Sequence, residues 1–124
     1  MRKAILILIL FAATASAAEP PEHIISYLFP KEGSEAALEV AIREDYAVMS
    51  KLDVIFPSPR LLLRGKDVKE RTYYVMIFTW RSAGIPDNAP PEIRKSWAKM
   101  ESLVEPRDGR RGIDFDAVEM LDVK

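Results

Sequence analysis

The sequence predicts a mixed α+β domain built on an antiparallel sheet, and three observations lead there. Residues 72–80, Thr-Tyr-Tyr-Val-Met-Ile-Phe-Thr-Trp, are β-branched or aromatic in the main and include no Gly, Pro or charge, the composition of an interior strand. Two stretches, 35–52 and 92–105, carry apolar residues at helical spacing. The other apolar runs are short and are separated by Pro- and Gly-containing turns, so the order reads strand, helix, strand, strand, helix, strand.

Residues 1–18 stand outside this plan. Arg2 and Lys3 precede an apolar run from Ala4 to Ala13, and the small residues Ala15-Ser16-Ala17-Ala18 follow, the pattern of a secretory signal peptide. The run is shorter than the ~20 residues that a membrane-spanning helix needs. Cleavage after Ala17 or Ala18 is expected, the rival being an uncleaved anchor; cleavage leaves one domain, 19–124, in a secreted or periplasmic location with no membrane attachment. The whole chain has 18 basic and 19 acidic residues, and loss of Arg2 and Lys3 brings the net charge from −1 to about −3. Nothing in that balance calls for nucleic acid. There is no cysteine, so stability must come from burial and no disulfide framework is available.

Residues 23–29, His-Ile-Ile-Ser-Tyr-Leu-Phe, form the first strand, which Pro30 ends. Lys31 to Ser34 is a turn, with Ser34 expected to cap the first helix and Glu35 placed favourably in its first turn. Along that helix Leu38, Ala41, Ile42, Val48, Met49 and Leu52 share one side. Asp53 to Pro59, with two prolines, reads as a connection, and Arg60 to Arg64 as a short edge strand. Residues 65–71 turn the chain into the 72–80 strand as a hairpin. In the second helix Ile93, Trp97, Met100 and Val104 make a single stripe, and Pro106 with Asp108-Gly109 ends it. Residues 107–112 form a basic turn, and 113–123 supply the last strand, with Val118 and Met120 on one face.

That order is the split βαβ arrangement of the ferredoxin-like fold: a four-stranded antiparallel sheet with two helices on one face. Alternation puts Tyr73, Val75, Ile77 and Thr79 on one side of the central strand and Tyr74, Met76, Phe78 and Trp80 on the other. Both sides are apolar, yet a chain this short covers only one with helices. A homodimer is therefore expected, a second copy covering the other side.

The element order, the long first helix and the strand ending Phe78-Thr79-Trp80-Arg81-Ser82 resemble the dimeric α/β-barrel superfamily, which includes the antibiotic-biosynthesis-monooxygenase-like proteins. The resemblance implies a homodimer whose sheets pack face to face, and a ligand cavity between each sheet and its helices. It also implies chemistry of the cofactor-free oxygenase type. The haem-degrading branch fits poorly: Trp97 matches its helical Trp, but no His follows, and Ser26 stands where an Asn is expected.

Asp45 is the most informative polar residue, since the helical wheel sets it in the middle of the apolar stripe among Leu38, Ile42, Met49 and Leu52. Two readings follow: a carboxylate of raised pKa facing a cavity, or a rim residue that accepts a hydrogen bond from a nearby Tyr, Ser or Arg. Trp80 and Trp97 border the same cavity or are core, and Tyr27 and Tyr74 offer hydroxyls to a ligand or to an interface. His23 is the only histidine; with no cysteine, a nitrogen and sulfur zinc site is not expected. The Arg107, Arg110 and Arg111 cluster matches no phosphate loop. No dinucleotide fingerprint, Gly-x-Ser-x-Gly elbow or His-Glu-x-x-His motif occurs, so no cofactor is called for. The functional expectation is an exported homodimer binding a hydrophobic or aromatic small molecule beside Tyr27, Asp45, Tyr74, Trp80 and Trp97. The alternative is a non-catalytic structural or protein-interaction module.

Overall fold

The computed structural model describes residues 19–106 and 112–123. The signal-peptide reading at 1–18 and the basic turn at 107–111 lie outside the described residues. The elements are β1 (Glu22–Leu28), α1 (Glu35–Lys51), β2 (Ile55–Lys66), β3 (Thr72–Trp80), α2 (Pro91–Glu101) and β4 (Asp116–Val118), with a short 3-10 turn at Pro86–Asn88. The sheet is antiparallel in the order β2-β3-β1-β4, with both interior strands at its centre.

Register settles which face of β3 meets the helices. Ile24 pairs with Phe78, Ser26 with Met76 and Leu28 with Tyr74, and all of these are buried beneath α1 and α2 with Trp80. From α1 come Leu38, Ala41, Ile42, Tyr46 and Met49, and from α2 Ile93 and Met100. On the opposite face His23 pairs with Thr79, Ile25 with Ile77 and Tyr27 with Val75, while Leu61 and Leu63 extend the row on β2. Tyr27, Leu61 and Leu63 are 47%, 46% and 47% exposed there, and no helix covers them.

Several expectations are corrected by backbone hydrogen bonding. Ser34 takes the N-cap position, but its backbone (φ −102°, ψ 8°) departs from the extended conformation of a capping residue, and its side chain makes no cap bond. The connection expected at 53–59 belongs in part to β2, which starts at Ile55 and bulges before Arg60. Pro57 and Pro59 have no N–H to give the ladder, which an edge strand tolerates. The second helix ends at Glu101 although the apolar spacing runs on to Val104. Instead Lys31 N–H donates to Leu103 O (2.8 Å) and Glu105 N–H to Phe29 O (2.8 Å), an antiparallel bridge that draws 103–105 out of the helix. The last strand pairs over three residues only, and Met120, Leu121 and Val123 beyond it are exposed.

Gly112 brings the chain back beneath this bridge. It is buried, and a Cβ there would run into the Val104 side chain and come within 3.2 Å of Glu105 O. Overpacking of this kind costs about 1–3 kcal/mol. Gly112→Ala should therefore lower the melting temperature; an unchanged thermal melt would contradict this packing.

Candidate functional site

The helix-covered face of the sheet carries an aromatic layer. Trp80 ends β3 with its ring edge-on to Phe78 (centroids 5.0 Å apart, 87°) and to Trp97 of α2 (6.0 Å, 74°). Phe115, just before β4, closes the group at 5.3 Å from Trp97 and 5.7 Å from Phe78. Tyr46 of α1 sets its ring edge-on to Phe78 at 5.9 Å, and its hydroxyl donates to Leu61 O (2.7 Å) and more weakly to Ile77 O (3.3 Å). That pins the helix to β2 and β3. Such edge-to-face pairs add about 0.5–1.5 kcal/mol each beyond area burial.

Into this layer the sequence puts a carboxylate. Asp45 is 0% exposed, and neither of its oxygens has a hydrogen-bond partner among the described residues. Desolvation by burial pushes its pKa from 3.8 up to about 7. The Ser96 hydroxyl faces it from α2 and offsets part of that shift, although without full hydrogen-bond geometry. The rim reading of Asp45 is thereby excluded, while its expected Ser neighbour is present. Asp45 of α1 and Ser96 of α2 thus face each other where the two helices meet. The indole nitrogens of Trp80 and Trp97 are likewise buried without a partner. Two donors and one titratable group in a single layer are left without the partners that buried polar groups ordinarily find.

The other expected ligand residues lie elsewhere. Tyr74 is on the same face of the sheet, but its hydroxyl is held at the start of α1 by Glu35 O (3.2 Å) and Glu39 Oε1 (3.3 Å). Tyr27 is on the opposite, open face beside Tyr73, 6.4 Å between ring centroids. The structure thus puts Asp45, Trp80 and Trp97 on the helix-covered side of the sheet, with the two indoles in contact, and Tyr27 on the other side. His23, on the open face, hydrogen-bonds through Nδ1 to Thr79 Oγ1 at 2.8 Å. Tyr46, Ser96 and Phe115 were not singled out from the sequence; Tyr46 alone gave a signal, lying three residues before Met49 and four after Ile42 on the apolar side of the helix. Among the described residues no group of His, Cys, Asp and Glu is arranged to hold a metal ion, and no helix is long and apolar enough to cross a membrane.

A β2-β3-β1-β4 antiparallel sheet with both helices on one face is the ferredoxin-like α+β fold. Comparison with solved structures finds the same fold in several proteins, among them a cofactor-independent oxygenase and two candidate antibiotic biosynthesis monooxygenases. SnoaB, a cofactor-independent oxygenase from Streptomyces nogalater, superposes with a TM-score of 0.62 at 16% identity, over 84% of this chain and 96% of that one. A candidate antibiotic biosynthesis monooxygenase from Bordetella bronchiseptica gives 0.58 at 8% identity, over 83% of this chain and 99% of that one. Another, from Bacteroides thetaiotaomicron, gives 0.59 at 11% identity, over 87% of this chain and all of the other, 100%. At these identities the likeness is one of fold. No protein-family model and no curated protein matches the sequence.

Asp45 gives stability a definite pH dependence. Below about pH 4 the carboxyl is neutral in folded and unfolded chains alike, and burial carries no ionic penalty. As pH rises through about 7 the unfolded chain releases this proton first, so the folded state loses stability over that window. The loss is roughly 4 kcal/mol at about 1.4 kcal/mol per pH unit. In urea denaturation at pH 5 and pH 8, Asp45→Asn should remove most of the difference shown by the wild type. Equal differences in the two proteins would contradict a carboxyl buried without a partner.

Proposed function

We propose that this protein is an exported homodimer that binds a hydrophobic or aromatic small molecule in the layer between the sheet and its helices, with cofactor-independent oxygenase-like chemistry. The observation that carries the reading is the set of buried, unpartnered polar groups on Asp45, Trp80 and Trp97 inside an aromatic layer. A ligand with polar atoms on a flat ring would satisfy the indole N–H groups and stack or edge against Phe78 and Phe115. A carboxylate whose pKa lies near 7 is suited to act as a general base, taking a proton from an acidic phenol or carbon of such a ligand. An electron-rich anion formed in this way can itself reduce dioxygen. The described oxygenase activity of SnoaB, which shares the fold, supports this class of reaction.

Export is supported by the charged, apolar and small-residue pattern of residues 1–18. Dimerisation through the open face is supported by its row of exposed Tyr27, Leu61 and Leu63 around half-buried Ile25 and Ile77, which in one chain leaves large apolar side chains in water. A second reading, a non-catalytic structural or interaction module, has one observation in its favour: Trp80 packs edge-on to Phe78, Trp97 and Phe115, and Phe115 edge-on to Phe78, which is self-consistent without a ligand.

Titration with naphthols, anthrones and quinones should quench tryptophan fluorescence saturably, because Trp80 and Trp97 are the two tryptophans of the chain. Asp45→Asn should retain binding and lose at least ~10²-fold in any dioxygen uptake, the usual scale of general-base loss. Absence of binding across the series would favour the non-catalytic module. For the assembly, Ile77→Asp should convert a dimer to a monomer in analytical ultracentrifugation, since it buries a charge at the centre of the open face. A variant that sediments as the wild type does would refute the interface.

A further inference from the structure

We propose that the seam between α1 and α2 is a proton-operated gate: with Asp45 protonated the two helices stay closed over the Trp80 and Trp97 rings, and with Asp45 ionised α2 swings away from α1 and admits water to that layer. This adds regulation to the site proposed above, but it stands on the geometry of the ligand-free chain.

The seam has the parts of a gate. α2 is short, Pro91–Glu101, and its close backbone approach is chiefly to α1. Its C-terminal end is anchored, because the chain continues directly into the bridge of Leu103 and Glu105 with Phe29 and Lys31. Its N-terminal end is entered through Pro90, which has no N–H to tie it down. Motion about the anchored end carries Trp97, the Asp45-facing Ser96 and Ile93 together. Beside the apolar packing of Ile93 and Met100, the polar links across the seam are the Glu44–Lys99 pair (3.1 Å) and the looser Lys51–Glu92 pair (3.8 Å), both at the surface. Exposed pairs of this kind hold weakly.

The charges around Asp45 do nothing to keep its anion in place. On its own helix Tyr46 is a neutral phenol whose pKa burial raises, and Glu44 and Lys51 point to solvent. From α2 the facing group is the uncharged Ser96; Glu92 and Lys99 are spent on the surface pairs. From β2, Arg60 reaches the Ser50 hydroxyl at 2.5 Å on the exposed side of α1. β3 and β1 offer Tyr74, Met76, Phe78, Trp80, Ile24, Ser26 and Leu28 on this face, with no charge among them. The segment before β4 brings Asp114, whose backbone carbonyl accepts from Ser26 Oγ at 3.0 Å. A carboxylate in that setting has one inexpensive source of solvation, which is water entering where the helices part.

An open state in which Asp45 regains an ordinary carboxyl pKa would gain population over the closed one by roughly 10- to 100-fold between pH 5 and pH 8. The test is acrylamide quenching of tryptophan fluorescence in the ligand-free wild type and in Asp45→Asn over that range. The expected result is a quenching constant that climbs with pH in the wild type and stays at its low-pH value in the variant. Parallel profiles, or a flat wild-type profile, would overturn the gate. Should Asp45→Asn fail to fold, amide hydrogen exchange of the wild type decides the matter, with rates corrected for the intrinsic effect of pH. Loss of protection confined to 91–101, while 72–80 stays protected, supports the gate. Protection lost uniformly, or in neither segment, overturns it. Because no ligand is added, failure to find a ligand leaves this result standing.

Discussion

The rest of the structure depends on the placement of β3 between β1 and β2. With its backbone paired along both edges, the strand's alternate side chains have nowhere to go but the two faces of the sheet, and both sets are apolar. α1 and α2 cover one set, Tyr74, Met76, Phe78 and Trp80. The other set has no helix over it, and Tyr27, Leu61 and Leu63 beside it are exposed, the surface on which the proposed partner would sit. Fold and proposed assembly thus have one cause, a hydrophobic strand flanked by too few helices to enclose it.

Against this background the burial of Asp45 is the exception that points to function. Buried carboxylates are ordinarily paired or bonded several times over, and a layer built only for stability would favour an apolar residue at this position. Here the acid faces a lone hydroxyl, and the indole N–H groups of Trp80 and Trp97 are without a partner among the described residues as well. Such local sacrifice of stability is what functional sites show. The same features would serve both ends proposed above: a proton acceptor tuned near neutrality, and a charge that loosens the helix packing when it forms.

Much of this was legible in the sequence, for identifiable reasons. The limits of β3 were readable because its composition is uniform and turn residues bound it, and Asp45 stood out because helical periodicity fixes which side of α1 it must share with Leu38, Ile42 and Met49. The separation of Tyr27 from Tyr74 was not readable. Each strand's alternation is plain, but only the register of β1 on β3, which sets Tyr27 opposite Val75, says which faces coincide. The early end of α2 was hidden because Val104 continues the helical spacing while backbone bonds to Phe29 and Lys31 divert its neighbours. Ser96 and Phe115 were silent for a related reason: a serine beside a tryptophan and one phenylalanine in a polar stretch acquire meaning only from what folds against them.

The proposed site, its base chemistry and the gate all depend on Asp45 being a titratable acid sealed without a hydrogen-bond partner among the described residues. The most direct measurement is a carbon-13 NMR titration of its carboxyl in aspartate-labelled protein, with the resonance assigned by its absence from Asp45→Asn. A midpoint near pH 7 is the predicted result. A midpoint near 4 would mean that water or a strong donor already reaches the group, and the site, its base chemistry and the gate would all have to be given up.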